Sequence, residues 1–290
     1  MSITSQKDAS VFRPAMSVLI PASNEAGLIG ACLKSVLNSD WWHSGSVEVI
    51  VIANGCKDDT VQVALSHTES YTEKGWDLRV LDRPEGGKLA ALNAGDRIAR
   101  ARIRVYLDAD VELSKGLLND LFTALDTPRP RYASGRIRLA DPQSWATRAY
   151  ARIYQQVPFM RTGVPGAGLF AVNAAGRLRW GDFPAIISDD TFVRLSFRPE
   201  ERVGVDAHYV WPLVEGWRNL VRVRKRQNDG VDEIRSKYPD LLQNDDKPVF
   251  GMADKLRLAL RDPVGFAVYG GVALVVRLMP AGSTGWSRGR

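Results

Sequence analysis

Val105-Tyr106-Leu107-Asp108-Ala109-Asp110 is an apolar strand sequence that ends in two acidic residues one position apart. Side chains alternate along a β-strand, so Asp108 and Asp110 leave the strand end on the same side. Two carboxylates this close repel each other unless a cation lies near them. Hard oxygen ligands favour Mg²⁺ or Mn²⁺, ions that commonly hold nucleotide phosphates. The alternative interpretation is a strand followed by a solvated turn, where Asp is common.

The segments around this strand alternate between apolar strands and helices. The predicted elements of this half are 16–20, 25–37, 47–52, 58–67, 78–81, 88–101 and 102–107. Continuously apolar strands that alternate with helices indicate a buried parallel sheet, as in doubly wound nucleotide-binding folds. Ligands of such sheets bind at the carboxyl ends of the strands, where the acidic pair lies. No Gly-x-Gly-x-x-Gly follows the first strand, so a dinucleotide site is disfavoured.

The second half of the chain has a different pattern, and we assign it to a second substrate. Its predicted elements are a helix at 114–125, a strand at 132–139, helices at 144–156 and after Ser188, a strand at 203–210 and a basic helix at 217–235. Asp189 and Asp190 stand at a predicted helix start. Adjacent carboxylates there are either capping residues or candidates for acid–base catalysis.

Composition limits the classes of function. The chain has 290 residues, of which 45% are hydrophobic, enough for one large domain with appendages. The net charge of +6 is spread along the sequence, which argues against a nucleic-acid binder and suits anionic small molecules or an anionic membrane surface. Two cysteines and a polar N-terminus without an apolar signal core favour a cytoplasmic location.

Six sequence motifs, in order and spacing, resemble those of glycosyltransferase family 2 over roughly residues 16–235. They are 17–25 (SVLIPASNE), 51–58 (VIANGCKD), 87–95 (GKLAALNAG), 108–110 (DAD), 166–168 (GAG) and 188–190 (SDD). The resemblance implies an α/β fold of the GT-A type, a mostly parallel Rossmann-like sheet flanked by helices. It also implies transfer of a sugar from a nucleotide diphosphate sugar to an acceptor hydroxyl.

The resemblance implies a donor site with several members. They are Pro21, Ala22, Asn24, Glu25, Asn54, Lys88, Asn93, Asp108, Gly166 and Gly168. Many relatives have Asp where Asn54 stands, to accept the N3–H of uracil. The Asn54 oxygen can also accept that bond while its NH₂ group can serve another base, so uridine is favoured. Lys88 begins a helix after two glycines, where a phosphate is favoured, although an exposed surface lysine remains the alternative.

The resemblance also implies roles for the two acidic motifs. Asp108 would contact the ribose and, with Asp110, form the site of a Mg²⁺ or Mn²⁺ ion that neutralises the leaving diphosphate. Asp190 would be the general base that takes the proton of the acceptor hydroxyl, in a single in-line displacement that inverts the anomeric configuration. Asp189 would orient the acceptor or the local backbone.

The acceptor and the product class are less constrained. The Gln-x-x-Arg-Trp motif of processive polysaccharide synthases is missing from the basic segment 222–227, which favours addition of a single sugar. Three classes of acceptor are expected: a lipid-linked saccharide in cell-surface polysaccharide or glycolipid assembly, a small molecule, or a protein. Two alternatives stay open: a nucleotidyltransferase, disfavoured by residues 21–25, and a non-catalytic nucleotide-sugar-binding relative, disfavoured because Asp110 and Asp190 are present.

We divide the chain by composition. The expected units are a disordered arm (1–14), a GT-A domain (15–240) with a nucleotide-sugar half (15–112) and an acceptor half (113–240), and a C-terminal appendage (241–290). The apolar segment 264–279 is shorter than the roughly 20 residues that a membrane-spanning helix needs. It is expected in the membrane interface at the inner face of the cytoplasmic membrane, in a re-entrant segment, or as a cover for the core.

Overall fold

A computed structural model describes residues 13–280, so the predicted arm lies almost wholly outside the described residues. The strands are β1 (Met16–Ala22), β2 (Val47–Asn54), β3 (Asp77–Arg83), β4 (Ile103–Leu107), β5 (Glu112–Leu113), β6 (Tyr132–Leu139), β7 (Leu169–Val172) and β8 (Arg202–Trp211). The helices are α1 (Ile29–Leu37), α2 (Thr60–Leu65), α3 (Thr68–Glu73), α4 (Lys88–Ile98), α5 (Leu117–Leu125), α6 (Trp145–Tyr154), α7 (Pro158–Arg161), α8 (Ala174–Arg177), α9 (Asp189–Leu195), α10 (Trp217–Lys237), α11 (Met252–Arg261) and α12 (Pro263–Leu278). Two 3-10 helices cover Pro199–Glu201 and Pro239–Asn244.

All eight strands form one sheet in the order β3-β2-β1-β4-β7-β6-β8-β5. The first four pair in parallel, and every residue of β2 is buried. Strands covered by helices on both faces need apolar side chains on both faces, which explains their unbroken apolar sequences. The prediction of a mostly parallel α/β sheet is confirmed.

The sheet changes direction next to the acidic pair. β7 runs antiparallel to β4, with Leu169 opposite Leu107, and β6 and β8 continue the sheet beyond β7. This pairing brings the backbone of Gly168 onto Asp108, whose N–H donates to the Gly168 carbonyl at 2.9 Å. The two predicted halves, 15–112 and 113–240, therefore share one continuous sheet.

Helix α4 lies unusually close to the sheet. Gly95 faces β1 and β2, and a Cβ at this position would lie 2.6 Å from Leu19 Cδ2 and 2.8 Å from Ile52 Cδ1. Both side chains are fully buried, so they have little room to move. The absence of a side chain at Gly95 thus lets α4 pack against the strands and sets the position of Lys88 at its start.

Two predicted helices have different bounds in the structure. The predicted helix 25–37 begins only at Ile29, because residues 25–28 are used in contacts with the loop after β2. The predicted helix 58–67 is shorter in the structure, where α2 ends at Leu65 and a separate helix, α3, begins at Thr68. Hydroxyls of Ser66 and Thr68 bond to backbone carbonyls at the junction, a local competition that interrupts helices.

A separate apolar cluster lies among α6, α10 and α12. Val268, Val272 and Val276 form the buried stripe of α12 and contact Tyr150 and Leu220 within this cluster. One face of the apolar segment 264–279 therefore packs against the protein, as expected if this segment covers apolar side chains. None of the helices within residues 13–280 is long and apolar enough to cross a membrane.

Candidate active site

A cavity of about 720 Å³ opens at the carboxyl ends of β1 and β4. Most of the predicted site residues line it. These are Pro21, Asn24, Glu25, Asn54, Lys88, Asp108, Asp110, Gly166, Gly168, Asp189 and Asp190. The fold thus brings six sequence motifs, far apart in the chain, around a single space.

The loops after β1 and β2 are joined to each other at the rim of the cavity. Asn24 has a positive φ of 52°, and its side-chain oxygen accepts from the backbone N–H of Lys57 at 2.5 Å. The backbone N–H groups of Glu25 and Ala26 donate to Thr60 and Asp58. Asn tolerates this left-handed conformation better than most residues, so the turn is held in shape without glycine.

Asn54 connects a third loop to these two. Its amide oxygen accepts from the N–H of Gly87 at 3.0 Å, and its NH₂ group donates to the carbonyls of Ala22 and Ile52 at 2.8 and 3.3 Å. The residue is buried. An amide oxygen has two lone pairs, so one remains for a base, and the base-reading role stays a prediction.

Two predicted donor contacts do not line the cavity. Asn93 donates to the carbonyl of Phe183 and accepts from its N–H, at 3.2 and 2.7 Å. Its amide therefore anchors the loop before Asp189, in agreement with a role in fixing the helix, and a contact of Asn93 with the sugar nucleotide stays a prediction. Ala22 is also buried, and its carbonyl accepts from Asn54, so its side chain has no route to the donor.

Lys88 joins the two acidic motifs. Its ammonium lies 2.9 Å from Asp108 and 3.1 Å from Asp189, so it bridges the end of β4 and the start of α9. Enclosure in the cavity would lower the pKa of Lys88, but the charges of Asp108 and Asp189 outweigh this and raise it above its ordinary value. The ammonium is therefore permanently charged at physiological pH.

Asp190 lies beside this bridge on the first turn of α9. Burial in the cavity wall and the adjacent charge of Asp189 raise the pKa of Asp190 to about 6, against the opposing effect of Lys88. One of its oxygens accepts from the backbone N–H of Thr191 at 2.6 Å. A carboxylate with a pKa close to neutrality is suited to take a proton, because acid–base catalysis is most efficient near the working pH.

The start of α9 is supported from α10 by two residues that the sequence analysis did not single out. Glu233 accepts from the backbone N–H of Ile187 at 2.8 Å. A Cβ at Gly230 would lie 2.1 Å from Ser188 Oγ, so only glycine permits this approach. Local sequence patterns carry no signal for these contacts, because they join segments more than 40 residues apart.

The glycine turn before β7 forms another wall. Gly166 and Gly168 have positive φ values of 68° and 77°. A Cβ at Gly166 would lie 1.7 Å from Tyr132 Oη, and one at Gly168 would lie 2.8 Å from Trp211 Cδ1. Both glycines are thus required by backbone conformation and by close packing, and their backbone lines the cavity beside Asp108.

The acidic pair has a donor set that suits a hard divalent cation. Asp108 and Asp110 both line the cavity at the end of β4. Throughout the described range 13–280, no three His, Cys, Asp or Glu side chains come together as a metal cluster. Two carboxylates fit Mg²⁺ or Mn²⁺ when phosphate oxygens and water complete the coordination, as is usual for Mg²⁺.

Residues 17–181, more than half of the chain, match the profile of glycosyl transferase family 2. This chain belongs to that family. Among curated relatives of this family 2 protein, the glycosyltransferase AglE of Haloferax volcanii is 35% identical over 98 residues, 33% of this chain and 31% of AglE. A dolichyl-phosphate beta-glucosyltransferase of Drosophila melanogaster is 30% identical over 149 residues, 47% of this chain and 45% of that protein. Each match spans less than half of the relative's length.

Solved structures show the same fold for this family 2 enzyme. A mannosyltransferase from Pyrobaculum calidifontis, in complex with GDP-Man and Mn²⁺, superposes with a TM-score of 0.58 at 22% identity, over 93% of this chain and 77% of that chain. TarS 1–349 of S. aureus in complex with UDP gives 0.52 at 13% identity, over 90% of this chain and 91% of that chain. Both are GT-A glycosyltransferases, so the predicted fold and family are confirmed.

We predict that Lys88→Met destabilises the protein by about 1–3 kcal/mol at pH 8, because Asp108, Asp189 and Asp190 are left without their cation. Loss of the positive charge of Lys88 raises the pKa of Asp190 above about 6, so protonation of Asp190 relieves the repulsion as the pH falls. The loss in free energy of unfolding caused by Lys88→Met should therefore be smaller at pH 5 than at pH 8. Chemical denaturation at both pH values measures it, with Lys57→Met, an exposed lysine, as the matched control. An equal deficit at the two pH values would contradict this electrostatic account.

Proposed function

We propose that this protein is an inverting glycosyltransferase that moves one sugar from a nucleotide diphosphate sugar to an acceptor hydroxyl. The observation that carries the proposal is the juxtaposition of two acidic motifs in one cavity, with Asp108 and Asp189 on a single ammonium and Asp190 beside them. An acidic pair at a strand end suits the donor diphosphate, and a separate carboxylate of raised pKa suits the acceptor.

The displacement follows from these positions. Asp190, as the ionised base, takes the proton of the acceptor hydroxyl while the acceptor oxygen forms its bond to the anomeric carbon. The bond from that carbon to the diphosphate oxygen breaks on the opposite face, and the nucleoside diphosphate leaves with the electron pair. Asp189 remains paired with Lys88 and keeps the start of α9 in place. A single displacement of this kind inverts the anomeric configuration.

Asp108 and Asp110 would hold a Mg²⁺ or Mn²⁺ ion. When bound, the ion neutralises the charge that develops on the leaving diphosphate. Lys88 adds a second positive charge at the start of α4, where backbone N–H groups also favour a phosphate. The mannosyltransferase that shares this fold is in complex with GDP-Man and Mn²⁺, which supports a metal ion in the proposed reaction.

Uridine is the base that we propose for the donor. Asn24 and Asn54 line the cavity and are fixed by contacts among the loops after β1, β2 and β3. The free lone pair of the Asn54 oxygen can accept the N3–H of uracil. TarS in complex with UDP shares this fold, as does the GDP-Man-bound mannosyltransferase, so a comparison of UDP with GDP tests the choice of base.

We also propose peripheral attachment to the inner face of the cytoplasmic membrane through α11 and α12. Met252, Leu256 and Leu260 follow one another at i, i+4 and i+8 on α11 and are 77%, 61% and 78% exposed. Leu274 and Leu278 of α12 are also exposed, on a helix whose buried stripe already packs against the protein.

Basic side chains accompany this exposed apolar surface. Lys255, Arg257 and Arg261 are interleaved with the leucines of α11, and Arg277 lies near the end of α12. An apolar face with basic neighbours is typical of helices that lie in the interface of an anionic bilayer. Attachment there would place an acceptor carried by a lipid next to the cavity.

We expect Asp190→Asn to keep UDP binding and to lower the rate of transfer by about 10²–10⁴-fold, because the proton acceptor is removed while the shape is kept. In the unsubstituted enzyme, kcat/KM should rise with pH through the pKa of about 6 and then level off, since only the ionised base acts. Calorimetry with UDP and an assay of sugar transfer are run on the same samples.

Asp189→Asn is the matched variant for this test. It should weaken the contact with Lys88 but leave a base in place, so its rate should fall less than that of Asp190→Asn. A normal rate for Asp190→Asn would reject Asp190 as the base. A larger loss in Asp189→Asn would move the role to Asp189.

Nucleotide binding should depend on a divalent cation. UDP affinity is expected to fall on addition of a chelator and to recover with Mn²⁺ or Mg²⁺. Loss of a group that only supports a metal ligand typically lowers metal affinity roughly 10–100-fold. Asp110→Ala removes a proposed ligand itself, so it should lower the metal-dependent UDP affinity by more than that. Asp108→Ala should lower it by less than Asp110→Ala does. UDP binding that is indifferent to chelator would contradict a role for the metal at this pair.

Membrane attachment should depend on the exposed side chains of α11. Leu256→Asp and Leu260→Asp should each reduce co-sedimentation with phosphatidylglycerol vesicles by more than tenfold, because a buried leucine contributes about 1.5–3 kcal/mol. Leu178→Asp, at a residue 86% exposed outside these helices, is the control. An unchanged sedimentation of the α11 variants would exclude this surface as the attachment site.

A further inference from the structure

One wall of the active-site cavity is aromatic and belongs to the acceptor half. Tyr150, Tyr154 and Phe159 line the cavity from α6 and α7. Ring centroids lie 5.4 Å apart for Tyr150 and Tyr154 and 6.4 Å apart for Tyr154 and Phe159. Tyr269 of α12 extends the row behind Tyr150, at 5.2 Å. The rings thus form a continuous apolar surface that leads from the cavity to the helix proposed for the membrane.

Two cations lie on this aromatic wall. Arg224 of α10 and Lys247 both line the cavity. The Arg224 guanidinium lies 5.9 Å from the ring centroid of Tyr269 and is hydrogen-bonded to Tyr150. The Lys247 ammonium lies 5.8 Å from the ring centroid of Phe159. Within the part of the chain that the structure describes, neither forms an ion pair with a carboxylate.

The buried cations Arg194 and Arg202 are neutralised by carboxylates of the protein. Arg194 lies 2.6 Å from Asp245 and 2.7 Å from Asp246, and Arg202 lies 2.6 Å from Asp246. Arg224 is half-buried in the cavity wall and Lys247 is exposed, so a bound anion could reach both cations. A half-buried guanidinium without a carboxylate partner favours a ligand that supplies the negative charge.

We propose that this wall binds an anionic amphiphile, an acceptor in which a phosphate group is joined to a hydrocarbon chain. The phosphate would lie on Arg224 and Lys247, and the chain would follow Tyr150, Tyr154 and Phe159. This inference rests on the proposed function and names the acceptor class of the same site. It goes beyond the donor site, because none of these five residues belongs to the donor motifs.

The location of the wall agrees with delivery of the acceptor to the base. Asp190 lines the same cavity as Tyr154 and the two cations, so the base shares one space with them. A hydroxyl carried beyond the phosphate can therefore reach Asp190 while the phosphate stays bound. Tyr269 lies on α12, whose outer residues Leu274 and Leu278 are exposed, so the hydrocarbon has an apolar exit.

Calorimetry on the intact protein tests the proposal with three probes: octyl phosphate, octanol and inorganic phosphate. Octyl phosphate should bind at one saturable site, at least tenfold more tightly than either of the others, since only it offers both charge and chain. Arg224→Gln, which can keep a hydrogen bond to Tyr150, should weaken octyl phosphate at least tenfold. Arg218→Gln, an exposed arginine of the same helix, is the matched control and should change it less than twofold.

UDP titration of the same samples separates the two proposals. If the unsubstituted protein does not bind UDP, the proposed function is rejected. Its binding of octyl phosphate would still test whether the aromatic wall holds an anionic amphiphile. Lys247→Gln, outside any helix, gives a second variant if Arg224→Gln has a lowered melting temperature. Equal binding of octanol and octyl phosphate, or unaltered octyl phosphate binding in both variants, would overturn the inference. Equal binding of inorganic phosphate would reject the apolar part and indicate a free anion as the ligand.

Discussion

The bridge from Lys88 to Asp108 and Asp189 is the interaction on which the site depends. It joins the end of β4 to the start of α9, two segments about 80 residues apart in sequence, and both contacts are close to 3 Å. Without the ammonium, three carboxylates would share a partly enclosed space and repel one another. The same contact sets the separation between the end of β4, proposed for the donor, and Asp190, proposed as the base.

The placement of Lys88 depends in turn on close packing. Helix α4 approaches β1 and β2 because Gly95 has no side chain, and its first residue is held by the bond between Gly87 and Asn54. A shift of this helix would move the ammonium away from both carboxylates. The charge balance of the site is thus a consequence of how a helix packs on the sheet.

A bound diphosphate would add negative charge beside Asp108. One ammonium already shared by two carboxylates offers little further neutralisation, so a second cation is electrostatically favourable at the end of β4. A divalent ion on Asp108 and Asp110 meets this need, which links the acidic pair at the strand end to the requirement for a metal. Arg224 and Lys247 line the same cavity on other segments of the chain, so the two proposed anionic ligands would each have cations of their own.

Sequence alone determined the features that depend on local patterns. Alternating apolar strands and helices predicted the parallel half of the sheet, because strands buried on both faces must be apolar throughout. The position of Asp108 and Asp110 at a strand end, and of Lys88 at a helix start, followed from the same periodicity. The motifs of glycosyl transferase family 2 were likewise visible as short, ordered segments.

Only the tertiary structure decided which side chains meet. Asn93 was expected to fix its helix or to contact the sugar nucleotide, and the structure shows it bound to the backbone of Phe183, 90 positions away. Arg224, Lys247 and Tyr150 come from three separate segments that line the same cavity, and no sequence spacing indicates that arrangement. The segment 264–279 proved to have a buried and an exposed face at once. Contacts over such separations arise from the packing of whole elements, whereas periodicity reports only the local conformation of the chain.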